Sequence, residues 1–315
     1  MTDSTTNPQL PAVTVPAPPP APSTPAAPLR GTDLFFGPEG LRAGWGLLLF
    51  VVIERLLLRA GHALMRPAMH RVEHTVWHEL GRMIMLAVVV VLTTAIMSRM
   101  EQRPFAAYGL PWRQASARNF AGGALWGFTA LSFLLLALRG LHAFYFGALA
   151  LHGVRALKFA LFWAAFFFLV GIAEEGIFRG YAQFTLARGI GFWPAAVLLS
   201  ALFASAHLDN PGENRIGILS VALVALFCCF TLLRTGSLWF AVGLHASWDW
   251  AQSYFYGVPD SGGTSPGHLL RSSSPGPAWL SGGSVGPEGS VLVLAVIAVM
   301  FVVFHFAFPE RNASQ

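Results

Sequence analysis

The chain has 315 residues, of which 55% are hydrophobic and 11% are charged, with a mean hydropathy of +0.57. Soluble domains carry about 25% charged residues, so this composition excludes an ordinary soluble globular protein and predicts a polytopic membrane protein. The net charge of +5 does not indicate nucleic-acid binding, because the basic residues are spread over short segments between apolar runs.

The N-terminal segment 1–40 is expected to be a disordered tail. Its first thirty residues are rich in Pro, Ala, Ser and Thr and contain too little apolar mass to fold. The tail lacks a charged segment followed by an apolar stretch, so we do not expect a cleaved signal peptide.

Apolar stretches close to the ~20 residues that span a bilayer then follow one another along the chain. We place them at 43–59, 79–98, 119–138, 157–174, 192–208, 216–234, 238–256 and 290–308. They predict an all-α transmembrane helical bundle of about eight helices. The protein is therefore expected to be a multi-pass integral membrane protein of the cell (plasma) membrane, in contact with lipid and without a nucleic-acid partner.

The predicted helices divide into an N-terminal group (41–156), a core (157–256) and a C-terminal helix with a short tail (290–315). Between the core and the last helix, residues 257–289 are rich in Gly, Ser and Pro. That composition predicts a flexible, solvent-exposed loop.

Charged side chains inside the predicted spans are the candidates for function, because an acidic residue at a helix centre costs about 2.5–3.5 kcal/mol on insertion. The stretch "VGIAEEGIFRGY" (170–181) contains Glu174, Glu175 and Arg179. Glu175 and Arg179 stand at i, i+4 and can pair. Successive helical residues point about 100° apart, which leaves Glu174 free to face a cavity. A charge cluster at a helix end would have the same composition.

Two later stretches place histidines on predicted helices. "ALFASAHL" (201–208) puts His207 one turn after Phe203, and "GLHASWDW" (243–250) puts His245 and Asp249 at i, i+4. Taken singly, these are also the patterns of a hydrogen-bonded core histidine and of an internal His–Asp pair. Together with the glutamates they predict a polar chamber within the bundle. A carboxylate beside imidazoles can activate a water, with or without a metal.

The stretches "EEGIFRGY", "LSALFASAHL" and "TGSLWFAVGLHASWDW" resemble the three motifs of the intramembrane proteases related to CAAX prenyl protease 2. This family is also called CPBP or Abi, and it includes bacteriocin-immunity proteins. Its pattern is Glu-Glu-x-x-x-Arg, then Phe-x-x-x-His, then His-x-x-x-Asn or Asp. The resemblance covers residues 157–256 and implies an endopeptidase that acts on a membrane-associated protein or peptide.

The resemblance also implies residue roles. Glu174 would be the general base, working with His207 on the attacking water. His245 and Asp249 would stabilise the oxyanion. The remaining motif residues, Glu175, Arg179 and Phe203, would support the site, the first two by holding the base in place.

The last motif position is more often Asn in the family, so Asp249 has three open roles. It can be a protonated donor, a group that orients His245, or a metal ligand. The metal itself is also open. Glu174, His207 and His245 could form a zinc site with a free position for water, or they could support a metal-free, glutamate-dependent hydrolysis.

Two rival functions belong to other classes. The chain could be a catalytically silent membrane protein of the immunity type that binds a partner. It could also be a transporter that uses the same carboxylates as proton relays, although no duplicated pattern of interrupted helices supports this.

Two further groups are predicted to be structural. The adjacent Cys228 and Cys229 are interpreted as packing residues, since neighbouring cysteines rarely suit a disulfide. His70, His74 and His78 would share one face of a helix over 68–79. We interpret that pattern as an interfacial amphipathic helix, and a metal site is the alternative.

Overall fold

A computed structural model describes residues 31–37, 40–69, 75–111 and 114–309 of the chain. The regular secondary structure of this part of the chain is helical apart from a two-stranded antiparallel ladder, β1 (Phe36–Gly37) with β2 (Gly40–Leu41). Its α-helices are α1 (Ala43–Met69), α2 (Val76–Met100), α3 (Gln114–Gly140), α4 (Gly153–Glu175), α5 (Ala182–Ile190), α6 (Phe192–Ser205), α7 (Arg215–Thr235), α8 (Leu238–Trp250), α9 (Ala278–Ser281) and α10 (Val291–Ala307). The predicted all-α bundle is confirmed.

Each of the eight predicted apolar stretches lies mainly within a helix of this bundle. Four helical stretches of the described ranges are long and apolar enough to cross a membrane: Val76–Met100, Ser116–Gly140, Gly153–Ile190 and Arg215–Thr235. The helices Phe192–Ser205 and Val291–Ala307 are also apolar but shorter. An integral membrane protein is therefore supported, while a crossing by all eight helices stays a prediction.

Polar side chains fix where several of the helices begin. Thr75, Asn214, Ser237 and Ser290 each precede a helix and accept a hydrogen bond from a backbone N–H of its first turn. Such caps satisfy amide groups that the helix itself leaves unpaired. Gly236 closes α7 in the left-handed region, with φ of 65°, and so allows the tight turn into α8.

The helix α8 packs against α3 with backbone touching backbone. A Cβ atom at Gly127 would overlap the carbonyl oxygen of Leu244, and one at Gly243 would overlap that of Phe120. Small residues allow this close approach of helices in membrane proteins. On its other side α8 packs against α4, and α10 closes the bundle against α3 and α7.

Residues 257–289 differ from the predicted solvent-exposed loop. Val258, Ser281 and Val285 are buried, and the backbone of 269–273 forms hydrogen bonds with that of 145–150 between α3 and α4. Composition predicts a lack of regular structure, which is largely the case. It does not report the tertiary hydrogen bonds that fold the segment back onto the bundle, so the predicted exposure is wrong for these parts.

Other predictions fall outside the described residues. Most of the N-terminal tail, the residues after 309, and both His70 and His74 belong to this group. His78 lies in the first turn of α2, where its Nδ1 contacts Glu79.

Candidate active site

The first motif lies where a membrane helix changes its winding. α4 ends at Glu175 and continues directly into a π-helical segment, Gly176–Tyr181, which leads into α5. Gly180 departs from helical geometry within it, with φ of −78° and ψ of −125°. A second π-helical segment, Ala251–Tyr256, follows α8 two residues after Asp249. Such segments are frequent at functional sites.

Glu175 holds two partners in the interior of the bundle. Its Oε1 accepts hydrogen bonds from Arg179 Nη1 at 3.2 Å and from His245 Nδ1 at 2.9 Å. The side chains of Glu175 and Arg179 are 1% and 0% exposed. The predicted i, i+4 pair is present, and it is fully removed from water.

His245 lies at the centre of the acidic residues. While Nδ1 faces Glu175, Nε2 lies 3.4 Å from Asp249 Oδ2 and 3.7 Å from Glu174 Oε2. A proton on Nε2 would face both carboxyl groups, which accept hydrogen bonds when they are ionised. The arrangement can therefore hold or release a proton at one point.

His207 approaches from a different helix. It lies in the turn after α6, with Nδ1 2.8 Å from the carbonyl oxygen of Phe203 and its ring 4.6 Å from the Phe203 ring. Arg179 also contacts the Phe203 ring, since its guanidinium carbon lies 4.3 Å from the ring centroid. Phe203 thus contacts both the buried cation and the histidine.

These side chains surround two adjoining cavities. The large chamber has a volume of about 870 Å³ and includes Glu174 in its wall, which is 29% exposed. The inner cavity has a volume of about 70 Å³ and includes Glu175 and Arg179. The residues common to both walls are Phe203, His207, His245, Asp249 and Ser261.

The structure thus brings all seven motif residues together around one place. One implied role differs from the contacts observed. Glu175 and Arg179 were expected to hold the base Glu174, but Glu175 Oε1 instead accepts hydrogen bonds from Arg179 and from His245. Glu174 and Glu175 are consecutive residues that point about 100° apart, so Glu175 faces the bundle interior while Glu174 lines the large chamber. Cys228 and Cys229 are buried free thiols on α7.

Sequence reasoning missed several polar residues of the cavity walls, among them Glu54, Asp260, Ser261 and Glu288. Glu54 is a buried acid within α1, and Asp260 and Glu288 are the two acidic residues of the segment 257–289. The backbone N–H of Ser261 donates to Glu288, and Ser253 Oγ donates to Asp260 Oδ2 at 2.9 Å. Two acids in a segment of mostly small residues were the available signal.

The environment of this segment changes the acidity of its carboxyl groups. Burial raises the pKa of Glu288 to about 8, and the neighbouring Asp260 adds to the rise. Burial likewise raises the pKa of Asp260, to about 6. Both groups therefore carry protons more readily than exposed carboxyl groups do.

The side chains around the large chamber include possible metal ligands. His207 and His245 each use Nδ1 in a hydrogen bond and keep Nε2, as metal-binding histidines do. However, the described residues include no group of three or more His, Cys, Asp or Glu side chains arranged to hold a metal ion. We therefore derive no step through zinc, which stays a prediction that metal analysis of active protein can check.

Comparison with known proteins points to the same segment. Residues 156–251 match the family model described as type II CAAX prenyl endopeptidase, Rce1-like. No curated protein and no solved structure matches the chain. The matched segment contains all three motifs and every motif residue around the two cavities, so the predicted resemblance is confirmed: residues 156–251 are similar to the Rce1-like type II CAAX prenyl endopeptidases.

Proposed function

We propose that the protein is an intramembrane endopeptidase that hydrolyses a peptide bond of a membrane-associated protein or peptide. The observation that carries the proposal is the meeting of Glu174, His207, His245 and Asp249, from three separate helical regions, in the wall of one large chamber. The family match supports a protease of this class. The reaction mechanism and the class of substrate are part of this proposal.

Glu174 is the proposed general base. It faces the large chamber and is partly exposed, while its neighbour Glu175 is buried and occupied by Arg179 and His245. Glu174, with His207 beside the same chamber, takes a proton from water as the water oxygen attacks the carbonyl carbon. The proton then passes to the amide nitrogen as the C–N bond breaks, which gives one carboxyl and one amine product.

His245 is the proposed donor to the oxyanion. Its Nδ1 is held by the Glu175 carboxylate, so a proton on Nε2 points toward the space between Glu174 and Asp249. A preorganised donor next to developing negative charge is the largest single contribution in many acyl-transfer enzymes. Asp249 either shares this role as a protonated carboxyl or orients His245.

The opposite wall of the large chamber suits an apolar substrate segment. The wall is formed by side chains of α1, α2 and α4, among them Leu47, Phe50, Val51, Leu86, Phe167 and Val170. A segment that leaves the bilayer would meet these side chains without exposing apolar surface to water. We therefore propose a substrate that is apolar next to the cleaved bond.

The direct test compares wild type with Glu174→Gln. The variant should retain membrane insertion and thermal stability but lose turnover, because Gln cannot take up the proton. Membrane proteomics should then find intact substrates that accumulate, or stay bound, only with the variant. Glu79→Gln is the matched control, since Glu79 is an exposed acid of α2 outside both cavities. Full activity of purified Glu174→Gln would end the assignment.

A further inference from the structure

The inner cavity offers a second polar space behind the candidate active site. Its wall includes Glu175, Arg179, Ser220, Asp249 and Glu288, contributed by four separate parts of the chain. It meets the large chamber at the residues shared by both walls, which include both histidines of the site. Anything small that fills the inner cavity is therefore in contact with the proposed catalytic groups.

Two residues of this wall carry three buried polar atoms that lack a partner. Glu175 Oε2, Arg179 Nε and Arg179 Nη2 have no hydrogen-bond partner within the described residues. An unsatisfied buried polar atom costs about 1–3 kcal/mol. A buried water needs about 10–15 Å³ and two to four polar partners, and the inner cavity exceeds that volume several times. Water is thus the ligand that matches both the size of the cavity and the polar side chains in its wall.

A separate place for water is useful to an enzyme of this kind. Each hydrolysis consumes one water, yet an apolar segment lying in the large chamber displaces water from it. We propose that the inner cavity is an internal water site, which supplies the hydrolytic water to His207 and His245 while substrate occupies the large chamber. The supply role rests on the proposed function, whereas the water site itself does not.

Two native cysteines allow the water site to be tested without any activity assay. Cys228 and Cys229 are both buried, but only Cys228 lines the inner cavity, while Cys229 Sγ contacts Gln183. A thiol reagent must reach the sulfur through a water-accessible space, and of the two thiols only Cys228 lines such a space. The Arg179 guanidinium lies beside Cys229, so charge alone would favour attack at Cys229, and a faster Cys228 reports access. The small reagent methyl methanethiosulfonate, followed by intact mass, should modify the Cys229→Ser variant at least tenfold faster than the Cys228→Ser variant. Equal rates, or a faster Cys229, would overturn the water site.

The supply role is tested by filling the cavity. Ala225 on α7 lines the inner cavity and Ala222, one turn earlier, lines neither cavity. Ala225→Leu should slow Cys228 modification at least fivefold and lower kcat at least tenfold, with KM changed less than twofold. Ala222→Leu should change none of these. Val224→Phe, from the same wall, is the second filling variant if Ala225→Leu fails to fold, as judged by Tm.

The outcomes separate the two proposals. If a filling variant loses Cys228 modification but keeps wild-type kcat, the supply role is overturned although the protease assignment stands. If wild type shows the cysteine contrast but hydrolyses no peptide, the proposed function fails and the supply role with it. The water site is then supported alone.

Discussion

Glu175→Gln should destabilise the protein more than any other change that keeps side-chain volume at the site. Glu175 and Arg179 are both excluded from water, and the Oε1–Nη1 distance is 3.2 Å. Gln keeps the shape but removes the charge, which leaves the guanidinium buried without a counter-ion. Breaking a buried ion pair in this way costs about 3–5 kcal/mol. We therefore expect a free energy of unfolding lower by about 3–5 kcal/mol, measured by denaturation in mixed micelles, and a lower Tm in detergent.

Two further variants make this result specific. The double variant Glu175→Gln/Arg179→Met removes both charges, so it should recover most of the lost stability, since an apolar replacement of a buried pair is often nearly neutral. Glu54→Gln is the matched single control, because its partner Arg55 is 70% exposed and a solvent-screened pair contributes about 1 kcal/mol at most. The reasoning is refuted if Glu175→Gln stays within about 1 kcal/mol of wild type, or if the double variant is no more stable than the single one.

Three other changes have defined outcomes. Asp249→Asn should keep or raise activity at neutral pH if Asp249 is a protonated donor, because Asn donates at every pH; a pH–rate profile that collapses throughout would show that the carboxylate charge is needed instead. Gly127→Leu should lower the free energy of unfolding by about 1–3 kcal/mol or more, the usual cost of overpacking, because the leucine side chain would overlap the α8 backbone. Gly140→Leu, where a Cβ meets nothing within 4 Å, is the control, and equal Tm values would contradict the close packing. Glu288 has a pKa raised to about 8, so folding takes up a proton there. That stability is present at low pH and is lost as the pH rises from about 5 to 8, which means that Tm of wild type should fall over this range more steeply than Tm of Glu288→Gln. Parallel pH curves would count against it.

The sequence was sufficient for the helices and for the pairs within each helix. Apolar stretches of bilayer length located the helical regions because length and hydrophobicity alone decide that a segment can span a membrane. The contacts of Glu175 with Arg179 and of His245 with Asp249 follow from i, i+4 spacing, which is a property of one helix.

Contacts between elements could not be read in the same way. Whether Glu174 or Glu175 forms the hydrogen bond with His245 depends on the rotation of α4 relative to α8, which is set by packing and by the π-helical winding after Glu175. Ser261 reaches both cavities only because Glu288, 27 residues later, accepts its N–H. No local pattern reports a hydrogen bond between two distant positions in a segment rich in Gly and Ser.

The backbone contact between α3 and α8 decides which part of the molecule can move. Side chains can repack when helices slide, but two main chains in contact have no such freedom, so His245 and Asp249 travel with α3 as one rigid unit. The helix α1, which forms much of the apolar wall, packs instead on α2 and α5. A substrate entering sideways from the lipid should therefore displace α1 and leave the catalytic helix still. A cross-link from α1 to α6 should stop turnover, whereas one from α3 to α8 should not.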